Sequence, residues 1–411
     1  MKKRVVITGI GVISPNGIGK ENFWNALKEG KSGIKKITSF DTTDLPVKIA
    51  GEVNDFKPEN FIEDTKKIRR MARFSQFAVA CAKMLIEDSK IDLKSLAPDK
   101  TIICLGVSTS AMDFIESQHK NLLKKGYKSI FPFGIFAAAP YKATQEILNE
   151  FNIEIPTLTI STNCSSGLDA IGFGYQEIKK GNYDIVIAGG VDASITPLII
   201  GGLSASKIMS LRNEEPERAS RPFDKLRDGG VLSEGAGMVV IEEYYNAIRR
   251  NANIYCEITG YGRWTEKEDS KAGEGFEKAM INCLKDSFLK KESIDYISAH
   301  GPSDPFLDYF ETLAIKNVFG EYAYKIPVSS IKSMIGNPLS SGGVLQLISC
   351  IMAFLQKILP PTINYEYPDP LCDLDYIPNK PRISDIKYCL INSHGAGGNN
   401  SSLIIKKYED K

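Results

Sequence analysis

Pro156-Thr157-Leu158-Thr159-Ile160-Ser161-Thr162-Asn163-Cys164-Ser165-Ser166-Gly167 begins as a strand and ends as a helix. The β-rich apolar run predicts a strand over 157–161. The run that follows predicts a helix over 166–180, stopped by Gly181. Cys164 stands at the junction. Backbone N–H groups are unpaired there and the helix dipole is positive. Both favour thiolate over thiol, which makes the cysteine a nucleophile candidate. The plain alternative is a small buried hydrophobe.

Outward from this stretch the same rhythm recurs. Strands are predicted over 4–9, 101–106, 185–189 and 237–241, and helices over 20–29, 71–89 and 142–150. A second series has strands over 255–260, 294–299, 327–331, 388–392 and 401–406, with helices over 276–289, 308–319 and 343–359. Alternation of this kind predicts an α/β fold. Asp184-Ile185-Val186-Ile187-Ala188-Gly189-Gly190 weakly parallels Lys387-Tyr388-Cys389-Leu390-Ile391-Asn392. Two related halves are therefore expected, 1–250 and 251–411, joined near 244–253. No low-complexity linker separates them, so they should pack as one body.

Composition narrows the function classes. The 411 residues exceed what one small core needs, and 43% hydrophobic with 25% charged residues is ordinary for a globular enzyme. A net charge of +1 gives no bulk attraction to nucleic acid or an anionic membrane. Met1-Lys2-Lys3-Arg4 runs straight into a strand, without a signal-peptide pattern. The apolar run 343–359 contains Gln346 and Gln356 and reads as a buried helix, not a membrane span. Eight cysteines without a Cys-x-x-Cys pair predict reduced thiols in a cytosolic protein. Three histidines, His119, His300 and His394, exclude a histidine-rich metal site.

Four further features carry chemistry. His300 ends a strand beside a Gly/Pro turn, where open α/β sheets place reactive groups. Lys332 closes another strand, and Glu311 is a candidate acid partner for it. Asn337 follows Gly336 and is either a turn residue or a neutral donor for a developing oxyanion. The loop Asn392-Ser393-His394-Gly395-Ala396-Gly397-Gly398-Asn399-Asn400 is either a tight hairpin or a source of backbone N–H groups near a reacting carbonyl.

Taken together, the chain resembles the elongating β-ketoacyl-acyl-carrier-protein synthases of the thiolase superfamily. The resemblance runs from Lys3-Arg4-Val5-Val6-Ile7 to Asn400-Ser401-Ser402. It is carried by the Cys164 stretch, Ser220-Arg221-Pro222-Phe223-Asp224, Glu234-Gly235-Ala236-Gly237, Ala299-His300-Gly301, Ser329 to Met334 and the glycine-rich loop. It implies a layered α/β/α/β/α thiolase-like fold and a homodimer, or a heterodimer with a related subunit. It implies that Cys164 accepts an acyl group from an acyl carrier protein. A malonyl-type carrier is then decarboxylated and condensed onto that group, without metal or redox cofactor. By the same resemblance His300 stabilises the developing charge, and the N–H groups of Cys164 and Ala396 form the oxyanion hole. Lys332 and Glu311 form an ion pair that holds the site, and Thr109, His394 and Ala396 bound the acyl pocket.

Departures from the family pattern point to a specialised pathway. Asn337 stands where the elongating enzymes carry a second histidine, which implies a Cys164-His300-Asn337 triad. His394 and Ala396 replace bulky aromatic residues, Ala396 a gating phenylalanine, so the pocket should be wider and suit a branched, aromatic or unsaturated acyl group. Pro302 and Asp304 stand where two threonines hold the pantetheine arm. Residues 263–275 form a loop that reads as shorter than usual. Lys66, Lys67, Arg69, Arg70 and Lys207 fall where cations dock the acidic carrier. The competing readings are a pocket-shaping subunit of a ketosynthase pair and an acyltransferase that does not decarboxylate. A thiolase would need a second active-site cysteine, and Cys389 reads as core.

Overall fold

A computed structural model of the chain describes residues 3–267 and 269–409. Among the described residues, ten strands form the path of the main sheet. They are β1 (Val5–Ser14), β2 (Thr101–Gly106), β3 (Thr157–Ile160), β4 (Ile185–Asp192), β5 (Gly235–Glu243), β6 (Cys256–Thr265), β7 (Tyr296–Ser298), β8 (Val328–Ser329), β9 (Tyr388–Gly395) and β10 (Asn399–Lys407). They lie in the order β8-β7-β9-β10-β6-β1-β5-β4-β2-β3, with a short ribbon at Gly17–Ile18 on β1. The chain thus runs twice through one pattern. In each run the third strand pairs parallel with the second, the second pairs parallel with the fourth, and the fourth, fifth and first are antiparallel. The two runs join where Val5, Val6 and Ile7 of β1 face Ile258, Glu257 and Cys256 of β6.

Helices cover the sheet in layers. Helix α1 (Arg73–Ser89) packs against β1 and β5 on one outer face. Helices α3 (Glu274–Ser287) and α4 (Leu307–Phe319) lie on the other. Between the halves run α2 (Ser166–Lys180) and α5 (Gly342–Gln356), which touch each other and strands of both runs. Their apolar residues share one core with β1, β4, β5, β6 and β9. This is the expected five-layer arrangement. The stretch Leu339–Gln356 is apolar and long enough to cross a bilayer, but 83% of it is buried inside the fold. Its apolar character is that of an interior layer.

Close packing places the nucleophile turn. A Cβ on Gly167, at the start of α2, would lie 2.2 Å from the Ser340 carbonyl. Only glycine lets α2 approach the segment before α5 so closely. A Cβ on Gly395 would meet the Thr162 carbonyl at 2.2 Å, so the end of β9 lies flat against the turn that holds Cys164.

Candidate active site

Cys164 sits between β3 and α2. Asn163 adopts φ 58°, a left-handed conformation that turns the chain sharply before the cysteine. The thiol lies at the start of a 15-residue helix, as the sequence predicts, and donates to Asn163 Oδ1 at 3.3 Å. Its charge state differs from the expectation. Burial pushes the thiol up to about 11, against the opposing pull of Lys332 and the Asn337 hydrogen bond. In the resting protein the sulfur is a thiol, because desolvation outweighs the positive surroundings.

A chamber of about 450 Å³ opens onto Cys164. Thr109, His300, Pro302, Asp304, Asn337, His394 and Ala396 line it too, so residues up to 287 positions apart in sequence share one cavity. Its remaining wall is largely apolar, with Ile199, Leu203, Met209, Val231 and Leu339. A larger cleft of about 780 Å³ holds the Arg73–Glu234 ion pair and none of the candidate residues.

His300 is fully enclosed at the end of β7. Its Nδ1 accepts the peptide N–H of His394 at 3.2 Å and faces the Lys332 ammonium at 3.4 Å. Both neighbours can only donate, so Nδ1 carries no proton and a neutral ring bears it on Nε2. Burial, reinforced by the Lys332 charge, drives the imidazole pKa well below its ordinary value. The group at the chamber wall is therefore a neutral N–H donor.

Lys332 and Glu311 do not form the expected ion pair; among the described residues no contact within 4.0 Å joins them. They instead grip the His300 peptide from two sides. Glu311 Oε1 accepts from His300 N at 2.9 Å and Asn392 Nδ2 at 3.0 Å, while Oε2 accepts from Gly301 N at 2.8 Å. Lys332 Nζ donates to the His300 carbonyl at 2.7 Å and to Gln346 Oε1 at 3.1 Å. Peptide groups and two neutral side-chain amides, Asn392 and Gln346, satisfy both ions, which removes the need for direct contact. Burial lowers the Lys332 pKa to about 8, opposed by the Glu311 charge. Burial also raises that of Glu311, opposed by its N–H donors.

Asn337 Nδ2 points at Cys164 Sγ across 3.8 Å, and its Oδ1 is covered without a protein partner. Thr109 reaches the chamber with its hydroxyl already engaged by Asp192 and Ser194. The Asp304 carboxylate accepts from the Phe306 and Leu307 N–H groups, both at 2.9 Å. Its Oδ1 thereby binds the backbone where α4 begins. The glycine-rich loop takes the hairpin form of its two readings. It is a hairpin between β9 and β10, turning through Gly397 and Gly398 at φ 90° and 81°, and Ala396 in that turn lines the chamber.

Of the cations, Lys66 and Lys67 occupy the short helix Thr65–Ile68, followed by Arg69 and Arg70, all exposed. Lys67 is partly neutralised by Glu150 at 3.6 Å. Lys207 is exposed just after the helix Pro197–Ala205, whose Leu198, Ile199, Gly202 and Leu203 line the chamber. Two supporting residues escaped the sequence reading. Gln346 binds Lys332 and donates to the Ala299 and Asn392 carbonyls at 2.8 and 3.1 Å. A glutamine inside an apolar run was its signal. Asp192, buried at the end of β4, accepts from Thr109 N at 3.0 Å and Ser340 N at 3.0 Å and so ties the two chamber loops together.

Comparison with known proteins gives this site a family. The β-ketoacyl synthase N-terminal domain matches residues 2–247 and its C-terminal domain matches 255–366. The chain belongs to the β-ketoacyl synthase family. It is an acyltransferase with the thiolase-like ketosynthase fold. It is 42% identical to 3-oxoacyl-[acyl-carrier-protein] synthase 2 of Coxiella burnetii, covering all of both chains. It is 40% identical to the protein of the same name from Synechocystis, covering 99% of each. Among solved structures it resembles the ishigamide ketosynthase/chain length factor, with TM-score 0.93, 31% identity and complete coverage of both chains. It also resembles a ketosynthase bound to a hexaketide in complex with its type II polyketide acyl-carrier protein. That match has TM-score 0.91 and 31% identity over 99% of this chain and 100% of the other.

Proposed function

We propose that this β-ketoacyl synthase condenses an acyl group held on Cys164 with malonyl units carried by an acyl carrier protein, in a specialised polyketide or fatty-acid pathway. The observation that carries the reading is the His300 N–H donor lining the same chamber as the Cys164 thiol. In the first half-reaction the cysteine sulfur attacks the carrier thioester carbonyl, and the carrier thiol leaves with the proton. In the second the malonyl C–C bond breaks, carbon dioxide departs, and the electron pair moves toward the thioester oxygen. A neutral N–H at His300 favours that oxyanion while leaving the departing carboxylate unpaired. Asn337 adds an amide donor of unchanging charge. The carbanion then attacks the acyl-cysteine carbonyl, whose oxygen would be held by the Cys164 and Ala396 N–H groups, and the cysteine leaves. The scheme calls on no metal or redox cofactor and takes place in the cytoplasm.

A partner subunit is part of this proposal. β3 is a sheet-edge strand, paired among the described residues with β2 alone, and partly exposed. Phe133, Ile135 and Phe136 are 67, 79 and 57% exposed. An open strand edge and bare aromatics each favour a second chain, identical or related.

Intact-mass analysis of malonyl-carrier and acyl-carrier proteins mixed with the enzyme tests the reading. Carbon dioxide loss with a β-ketoacyl-carrier product, absent in Cys164→Ala, supports it. Acylated Cys164 without decarboxylation would replace it with a plain acyltransferase.

A further inference from the structure

Besides the Asp304 carboxylate, two residues of the chamber wall carry a side-chain acceptor that has no protein donor among the described residues. One is Asn337 Oδ1. The other is Nε2 of His394. The His394 Nδ1 lies 3.0 Å from Asn400 Oδ1. Asn400 Nδ2 donates to the Gly398 carbonyl at 3.0 Å, and a carbonyl can only accept, so Oδ1 is the atom facing the histidine. The His394 proton therefore sits on Nδ1 and its Nε2 carries a free lone pair. The ring is held in place: Phe276 stacks on it with centroids 5.3 Å apart and planes at 29°. Burial lowers the His394 pKa, which keeps the ring neutral. The Thr109 hydroxyl is already engaged by Asp192 and Ser194, and Asp304 Oδ1 by the Phe306 and Leu307 N–H groups.

An alkyl chain filling this apolar space would strip water from Nε2 and return nothing. A hydroxyl in the same place would restore the lost hydrogen bond. Ala396, two residues on, takes little of the room a hydroxylated group needs.

We propose that His394 determines specificity: its Nε2 accepts a hydrogen bond from a hydroxyl on the acyl group carried by Cys164, so hydroxylated acyl groups are taken in preference to plain hydrocarbon ones. This rests on the reading of Cys164 as the acyl acceptor. The His394 contact to His300 runs through the backbone, so replacing the side chain leaves that contact available. The two roles of this residue can therefore be separated.

The test compares carrier proteins loaded with octanoyl or with each monohydroxyoctanoyl isomer, following acylation of Cys164 by intact mass. At least one hydroxylated isomer should load about tenfold faster than octanoyl, the scale of one unpaired buried acceptor. His394→Phe should abolish or reverse the preference. His394→Gln, whose Oε1 replaces the lost acceptor, should keep it. Equal loading of all the acyl groups, or a preference that survives His394→Phe, would overturn the inference while leaving the acyl-cysteine reading intact. No loading of Cys164 from any carrier would overturn that reading, and the inference with it.

Discussion

The peptide N–H of His394 donates to Nδ1 of His300, 3.2 Å away. A backbone bond thus decides which nitrogen of the catalytic candidate holds the proton. The two imidazoles lie 5.9 Å apart, centroid to centroid, and carry opposite tautomers. His300 presents a donor and His394 an acceptor.

Nitrogen NMR of histidine-labelled protein at pH 7 checks that assignment, and only His119 adds a third signal. His300 should show a bare Nδ1 and a protonated Nε2, and His394 the reverse. Identical patterns for the two buried rings would refute the arrangement.

The charge on Lys332 should matter at pH 7 and fade at pH 10. Lys332 has a pKa near 8 in the fold, so it carries charge below that pH and helps ionise the thiol, which itself titrates at about 11. Lys332→Met should slow iodoacetamide alkylation of Cys164 roughly several-fold at pH 7. By pH 10 the lysine of the parent protein is neutral too, and the two rates should converge. For stability the sign is reversed. The folded pKa lies below the ordinary value of about 10.4, so the unfolded chain binds more protons between those values. This lysine's contribution to stability therefore rises with pH across that window, as read by urea denaturation. A contribution that falls with pH there would contradict the burial of the ammonium.

Asn337→His should retain or raise malonyl decarboxylation, because the imidazole adds a second ring donor beside the Cys164 sulfur. Complete loss of carbon dioxide release in a folded variant would argue against a role for Asn337 in that step.

Ala396→Phe should narrow the acyl range, since a phenyl ring would stand in the wall of the chamber that His300 and Cys164 also line. Loading rates for short and bulky acyl-carriers measure this. An unchanged range would show that Ala396 does not gate the pocket.

Charge reversal at Lys66, Arg69 and Arg70 should raise the KM for carrier several-fold at low salt, with the difference shrinking as salt rises. Lys67, already paired with Glu150, should contribute less. Equal KM values at low salt would leave these residues as solvated surface.

Much of this site could be read from the sequence because its chemistry follows strand ends. Residues 166–180 and 101–106 have the predicted bounds. The strands β1, β5 and β9 run longer than expected because β1 and β5 are buried along their whole length and β9 from Cys389 to Gly395, so no polar alternation marks their ends. Helix Met112–Lys125 escaped notice because it has no core-facing stripe; its Ile115, Leu122 and Leu123 are exposed. Helix Pro197–Ala205 looks like a buried strand through its Leu-Ile-Ile run, although Thr196 and Pro197 form a regular helix start. The Lys332–Glu311 pairing failed for a different reason. Sequence shows that two opposite charges are near one histidine, not that its peptide stands between them.

The interior helices α2 and α5 bury their apolar sides against each other and against strands from both runs of the chain. Neither run has a finished surface without the other. Severed fragments would each expose the side of a helix that belongs in the middle of the protein, and would aggregate or reassociate before folding separately. The whole polypeptide should therefore melt as a single cooperative unit.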